Sequence, residues 1–183
     1  MIRHAGIQDV RAIGRIINDA AEYGLMLHRS WQELYENVRD FQVAIENDQV
    51  VGVCGLKIVW ANLAEVYALA VAPQWRGKGI GRRLVLSCVD EAEELGIQRL
   101  MTLTYEQRFF EKLGFEVVAK ETLPLKVWSD CVRCPKNENC DEIAMVLTLH
   151  DIPVPELPDA TPTPRGVSIP VLPSATLPSF DDD

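Results

Sequence analysis

Gln74-Trp75-Arg76-Gly77-Lys78-Gly79-Ile80-Gly81-Arg82 lies between two segments of different character. Before it, residues 66–72 form an apolar run too short for a helix and rich in β-formers, which reads as a buried strand. After it, Leu84, Val85, Cys88, Val89, Ala92 and Leu95 recur at helical spacing within residues 83–95. The glycines therefore fall in a strand-to-helix turn. Three of them within five residues let the backbone turn tightly and aim several N–H groups into one hollow. The helix that follows adds its unpaired N–H groups and the positive end of its dipole. Arg76, Lys78 and Arg82 add full charges, and the combination suits a pyrophosphate. The plain alternative is a glycine-rich connection without a ligand, and three cations beside three glycines argue against it.

Spacing sets aside two other phosphate-binding loops. A P-loop needs Ser or Thr after its Gly-Lys pair, and none follows Lys78. A Rossmann loop needs Gly-x-Gly-x-x-Gly in a first βαβ unit, whereas here the spacing is Gly-x-Gly-x-Gly and the loop lies mid-chain. The stretch instead resembles the acyl-CoA loop of the GNAT N-acetyltransferases, Gln/Arg-x-x-Gly-x-Gly/Ala, here Gln74 to Gly79. The lead-in Leu69-Ala70-Val71-Ala72-Pro73 and the later Phe110-Glu111-Lys112-Leu113-Gly114-Phe115 are similar to that family in the same order.

At 183 residues the chain is long enough for one domain with a real core. Its net charge of −9 argues against a general nucleic-acid binder. Residues 151–183 hold six acids and one base, net −5, which leaves −4 for residues 1–150. The N-terminus has no apolar signal region, and no run approaches the length of a membrane span. Five cysteines, an odd number, fit a reducing compartment, so a soluble cytoplasmic protein is expected.

Along the chain the patterns predict a strand at 2–5 and a helix from Asp9 through Gly24. A second helix at 31–37 is capped by Ser30 with Glu33 as its capping-box partner. Strands at 41–46 and 50–59 flank a turn, and a strand at 63–71 leads into the glycine loop. Gly96 ends the long helix as its C′ residue. A strand at 99–104, a short helix at 108–113 and strands at 115–119 and 144–149 follow. Phe41, Val43 and Ile45 read as a core face, and Cys54 and Cys88 as core. Eight of the eleven prolines fall in residues 151–183, which read as a disordered, acidic, extended tail beyond a domain at 1–150. The order β-α-α-β-β-β-α-β-α-β-β is that of the GNAT fold. The resemblance therefore implies an α/β (α+β) architecture: a mixed sheet with helices on both faces, splayed between the fourth and fifth strands by a bulge in the fourth.

The resemblance also implies an acyltransferase that uses acetyl-CoA. Arg76, Gly77, Lys78, Gly79, Ile80, Gly81 and Arg82 would hold the diphosphate, and backbone groups of Leu69, Ala70 and Val71 the pantetheine arm. A backbone N–H near Leu69 or Ala70 would stabilise the oxyanion. Glu65, an acid among apolar residues, is the expected general base. The bland alternative is a solvent-facing Glu. Alternation places Glu65, Tyr67 and Leu69 on one face. The family's usual Tyr acid is replaced by Phe110, so Tyr105, then Thr104, stands in as proton donor, with a packing or loop role as the alternative. Trp75 reads as packing.

Two further stretches, His28-Arg29-Ser30 before Glu33-Leu34-Tyr35-Glu36-Asn37 and Leu125 through Pro135 with Cys140-Asp141-Glu142, resemble a narrower group. These are the short, single-domain amino-acid N-acetyltransferases that make N-acetylglutamate for arginine synthesis. Glutamate brings two carboxylates, so Arg29, Lys57 and Lys126 are the expected acceptor cations, with Arg108 weaker. Each alone is more often a surface charge, and convergence of two would be informative. Cys131-x-x-Cys134 with Cys140 has some likeness to a zinc site, but no fourth ligand lies close in sequence, and the reading taken is a loop without metal. The expected partners are acetyl-CoA and an amino acid, without nucleic acid or membrane, with a homodimer left open. The rivals are an acetyltransferase for a protein N-terminus, lysine or small amine, and a non-catalytic acyl-CoA sensor.

Overall fold

A computed structural model describes residues 1–123, 140–150, 152 and 153. Lys126, Trp128, Cys131, Cys134 and almost all of the proline-rich segment lie outside the described residues. The elements are β1 (Ile2–His4), α1 (Val10–Glu22), α2 (Trp31–Glu36), β2 (Phe41–Glu46), β3 (Gln49–Trp60), β4 (Leu63–Val71), α3 (Ile80–Glu94), β5 (Arg99–Thr104), α4 (Gln107–Glu111), β6 (Glu116–Val117) and β7 (Ile143–Thr148). This is the expected order, in one mixed sheet arranged β1-β2-β3-β4-β5-β7-β6. All pairs are antiparallel except β4 with β5.

Both faces of the sheet are covered. On one, Val10, Ile13 and Ile17 of α1 and Leu34 of α2 pack on Phe41, Val43 and Val53. On the other, Leu84, Val85, Cys88 and Ala92 of α3, with Phe110 of α4, pack on Cys54, Leu56, Ala64, Val66, Leu100 and Met145. Each helix turns one apolar stripe inward, as its three-and-four spacing requires. The sheet strands between them are consequently apolar on both faces over their central residues.

Several local expectations change. α3 begins at Ile80 rather than Arg83, because Gly79 takes the N-cap in a left-handed conformation and the helix starts directly from it. Gly81 and Arg82 are therefore in its first turn. Asp9 is the N-cap of α1 but makes no side-chain capping bond to it. Its carboxylate accepts from both Arg3 guanidinium N–H groups (2.6 and 2.9 Å) and from the Gly6 amide, which ties β1 to the start of α1. The expected strand at 115–119 shortens to Glu116–Val117 at the sheet edge. Ser30 and Glu33 do form the capping box of α2. Gly96 ends α3 at φ +73°, with its amide and that of Ile97 donating back to the Glu93 and Ala92 carbonyls. Among the described residues no helix is long and apolar enough to cross a membrane.

Candidate active site

The parallel β4–β5 ladder is short. It joins Leu63, Ala64 and Glu65 to Arg99, Leu100 and Met101 and then stops, while β5 continues to pair with β7 as far as Thr104. In the β3–β4 ladder Val53 faces Ala70 and Gly55 faces Tyr67. Ala68 and Leu69 together therefore oppose Cys54, a β-bulge that bends β4 away from β5. Ala68 holds φ at +50°, a left-handed conformation that an alanine adopts only when its surroundings require it.

The bulge also shifts the side-chain phase. Tyr67, Ala68 and Ala70 pack toward α1, whereas Leu69 and Val71 join Ala64 and Val66 on the α3 face. The expectation that Leu69 shares a face with Glu65 and Tyr67 is thus corrected, because an inserted residue breaks the two-residue alternation on which it rested.

A cleft of about 680 Å³ opens where the strands part. Its walls include Val66 to Val71 of β4, Thr102 to Thr104 of β5, and Gly77, Gly79, Gly81 and Arg82 of the loop and first helical turn. Gly77 and Gly79 each take φ +74°. A Cβ at either would meet nothing within 4 Å, so it is backbone conformation, not space, that calls for glycine there. No side chain of the N-cap accepts from the first turn of α3, so those amides stay available at the positive end of the helix. Arg76 Nε donates to the Val71 carbonyl at 3.0 Å and fastens the loop to the end of β4. Lys78 Nζ sits 4.4 Å above the centre of the Trp75 ring, and Trp75 itself lines the cleft. Lys78 is not among the lining residues.

At the other end, Glu65 and Arg29 line the same cleft. The Arg29 main chain is held by the Asn18 side chain, which accepts from its amide (2.9 Å) and donates to its carbonyl (3.0 Å). The Arg29 guanidinium carbon lies 5.6 Å from the centre of the Tyr67 ring. The Tyr67 hydroxyl donates to Asp40 Oδ2 at 3.2 Å. Burial pushes the Asp40 carboxyl above its ordinary range, against the opposing pull of that hydrogen bond and of the Lys57 charge. Burial, and then the Asp40 charge, push the Tyr67 phenol far above its ordinary value, so it remains a neutral donor. Lys57 is the register partner of Glu65 across the β3–β4 ladder and is not among the residues lining the cleft.

Tyr105 is partly exposed, lines the cleft, and donates its hydroxyl to Asp141 Oδ1 at 2.9 Å. Thr104 is buried and its hydroxyl accepts from the Glu106 amide at 2.9 Å. Phe110 is buried edge-on against Phe109 and Phe115. Cys140 and Glu142 also line the cleft. Among the described residues no three His, Cys, Asp or Glu side chains cluster to hold a metal ion. Cys54 and Cys88 are fully buried, as expected for core thiols. Among the lining or supporting residues to which the sequence assigns no role are Asn18, Asp40, Tyr67, Glu106 and Glu142. Tyr67 had a weak signal, an aromatic two places beyond Glu65. Asn18 and Asp40 had none, since only the folded chain brings α1, the turn before β2 and β4 together.

Residues 12–115 match the family model described as Acetyltransferase (GNAT) family. An uncharacterized N-acetyltransferase of Chlorobaculum tepidum is 43% identical over 148 residues, 81% of this chain and 96% of that one. An amino-acid acetyltransferase of Mycobacterium tuberculosis is 32% identical over 136 residues, 73% of this chain and 78% of that one. The crystal structure of N-acetylglutamate synthase from Neisseria gonorrhoeae, complexed with coenzyme A and N-acetyl-glutamate, superposes with a TM-score of 0.74 at 29% identity. That match covers 82% of this chain and 35% of the synthase. Sheet order, splayed strands, glycine loop and these similarities agree: the chain belongs to the GNAT family of acetyltransferases.

Proposed function

We propose that the protein transfers the acetyl group of acetyl-CoA to the α-amine of an amino acid, and that L-glutamate is the acceptor. The observation that carries this reading is one continuous cleft joining the glycine turn and the start of α3 to Glu65 and Arg29. The similarity to an amino-acid acetyltransferase and to a synthase bound to coenzyme A and N-acetyl-glutamate supports the same substrates.

In this reading the amides of Gly77, Gly79 and Gly81 and of the first turn of α3 take the diphosphate, with Arg76, Lys78 and Arg82 supplying charge. The β4 edge beyond Glu65, which has no β5 ladder partner among the described residues, offers main-chain groups of Leu69, Ala70 and Val71 to the pantetheine arm. The thioester is thereby laid along β4 with its carbonyl near the bulge. An amide at Leu69 or Ala70 stabilises the charge that develops on the carbonyl oxygen as the amine attacks. Glu65 receives the ammonium proton, directly or through water, so that the nitrogen lone pair can form the new C–N bond. The thiolate leaves as the C–S bond breaks and takes a proton from Tyr105, and the second proton that the nitrogen sheds as the amide forms restores that phenol, whose hydroxyl rests on Asp141. Arg29 holds a carboxylate of the acceptor, and Lys126 is proposed for the second. Lys57, the register partner of Glu65, does not line the cleft and adds its positive charge beside Asp40. The reading carries with it a cytoplasmic setting and a place in arginine biosynthesis, with residues 1–150 as the catalytic domain and 151–183 as an appended segment.

A second reading has one observation in its favour. The cations lining the cleft among the described residues are Arg29, Arg76 and Arg82, and Glu106 and Glu142 line it as well as Glu65. Acids beside the acceptor would suit a lysine or other cationic amine. Thiol release from acetyl-CoA, measured against glutamate, glutamine, aspartate and lysine, separates the two. The expected result is the highest kcat/KM with glutamate. A preference for lysine would replace this reading with the second, and coenzyme A binding without turnover on any acceptor would reject both.

A further inference from the structure

We infer that Tyr67 is a positioning residue for the acceptor: its ring, wedged across β3 at Gly55 and moored by Asp40, carries the Arg29 guanidinium at a fixed point on the cleft wall. This rests on the proposed role of Arg29 and adds how so flexible a side chain is put in place.

Three contacts lock the ring. A Cβ built at Gly55 would lie 2.4 Å from Tyr67 Cε1, so the ring lies directly over the β3 backbone in space that only glycine leaves. The Phe41 ring packs 5.4 Å away at 45°. The hydroxyl is fixed to Asp40 at 3.2 Å. What remains is the face toward Arg29, 5.6 Å from the guanidinium carbon.

Stacking on a ring suits a guanidinium that must present its edge to a carboxylate. The attraction acts through the flat face and itself consumes no N–H group. The Asn18 clamp fixes the main chain of the same residue, so backbone and head group are held independently. A rigid cation of this kind loses little conformational freedom when the acceptor arrives. Tyr67 is poorly suited to protonate the thiolate, since burial and the Asp40 charge hold its phenol far above the ordinary value and so make it a weak acid. Its position two residues from Glu65, on the same face, places acceptor anchor and base side by side.

The test is a double-mutant cycle on the full chain with Arg29→Ala and Tyr67→Leu, reading KM for the amino acid and for acetyl-CoA separately. Tyr67→Leu is expected to raise the amino-acid KM about 10-fold and to leave the acetyl-CoA KM within about twofold. The double variant should be no worse than Arg29→Ala alone. Tyr67→Phe, which keeps the ring and loses the mooring, should recover most of the effect, to about threefold. Additive effects, or equal changes in both KM values, would overturn the inference. If Tyr67→Leu does not fold, judged by coenzyme A binding and thermal melting, the same cycle with Tyr67→Phe decides it by the same criterion. Wild-type protein that binds coenzyme A and acetylates no amino acid would reject the proposed function and the anchoring role with it. Wild-type turnover with an additive cycle would reject the positioning role alone.

Discussion

At one end of the cleft the groups that matter are main chain. Gly77 and Gly79 at φ +74°, the first turn of α3 and the opened edge of β4 all offer peptide amides or carbonyls. At the other end they are side chains: Arg29 on Tyr67, Tyr67 on Asp40, and Glu65 beside them. Val71 lies four positions beyond Tyr67 along β4, at most roughly 13 Å at the rise of an extended strand and less across the bulge. The glycine end is fixed by conformation and tolerates changes of side chain that keep the turn. The Arg29 end is fixed by mutual packing and can be altered one residue at a time. The contrast matches the proposed chemistry, in which an invariant cofactor is gripped through the backbone and a variable acceptor is chosen through side chains.

The largest expected effect falls on the base at the side-chain end. Glu65→Gln should lower kcat by about two to four orders of magnitude near neutral pH while both substrates still bind. Calorimetry with coenzyme A and steady-state rates check this, and an unchanged kcat would remove Glu65 as the base. Next, Arg29→Ala should raise the amino-acid KM by about 10- to 100-fold, the loss expected for a charge-assisted hydrogen-bonded pair, and spare the acetyl-CoA KM. The reverse pattern would erase the division between the ends.

Gly79→Val attacks the main-chain end. A β-branched residue at φ +74° strains the N-cap by about 1–2 kcal/mol. Coenzyme A affinity should fall about 10-fold, with the amino-acid KM little changed at saturating cofactor. The smallest effect is expected from Gly55→Ala, whose new methyl must displace the Tyr67 ring. A stability loss of about 1–3 kcal/mol by thermal melting, with a few-fold rise in the amino-acid KM alone, would sharpen the comparison. A matching rise for acetyl-CoA would blur it.

This division also explains what could be read from sequence. Glycine spacing, the strand before it and the periodic helix after it are local signals, so the loop and the order of elements along the chain are legible, while the GNAT architecture comes from the resemblance carried by the loop, its lead-in and Phe110 to Phe115. A glycine at positive φ announces itself, because few other residues serve there. Even so, α3 starts three residues earlier than the expected range: Ile80, four residues before Leu84, already lies on the buried stripe, but the glycines around it read as turn.

The Arg29 end was only half legible. Arg29 and Glu65 were visible as charges in telling places, but their neighbours arrive from α1, the turn before β2 and β4, far apart in the chain. The bulge was expected from the resemblance, yet its consequence for Leu69 was not, because counting by twos along β4 assumes an uninterrupted strand. Lys57, expected as a cation for a carboxylate of the acceptor, is the register partner of Glu65 across the ladder and is not among the residues lining the cleft. Nothing local to Asp40 or Asn18 marks them, since an acid in a turn and an amide in a helix are commonplace.

The proposed chemistry depends most directly on where coenzyme A meets the backbone. An amide chemical-shift titration of the full chain with coenzyme A addresses that in one measurement. It should move the resonances of Gly77, Gly79 and Gly81 most, followed by those of Leu69 to Val71, with saturable affinity. No detectable affinity, or shifts confined to residues away from the glycine turn and β4, would contradict it.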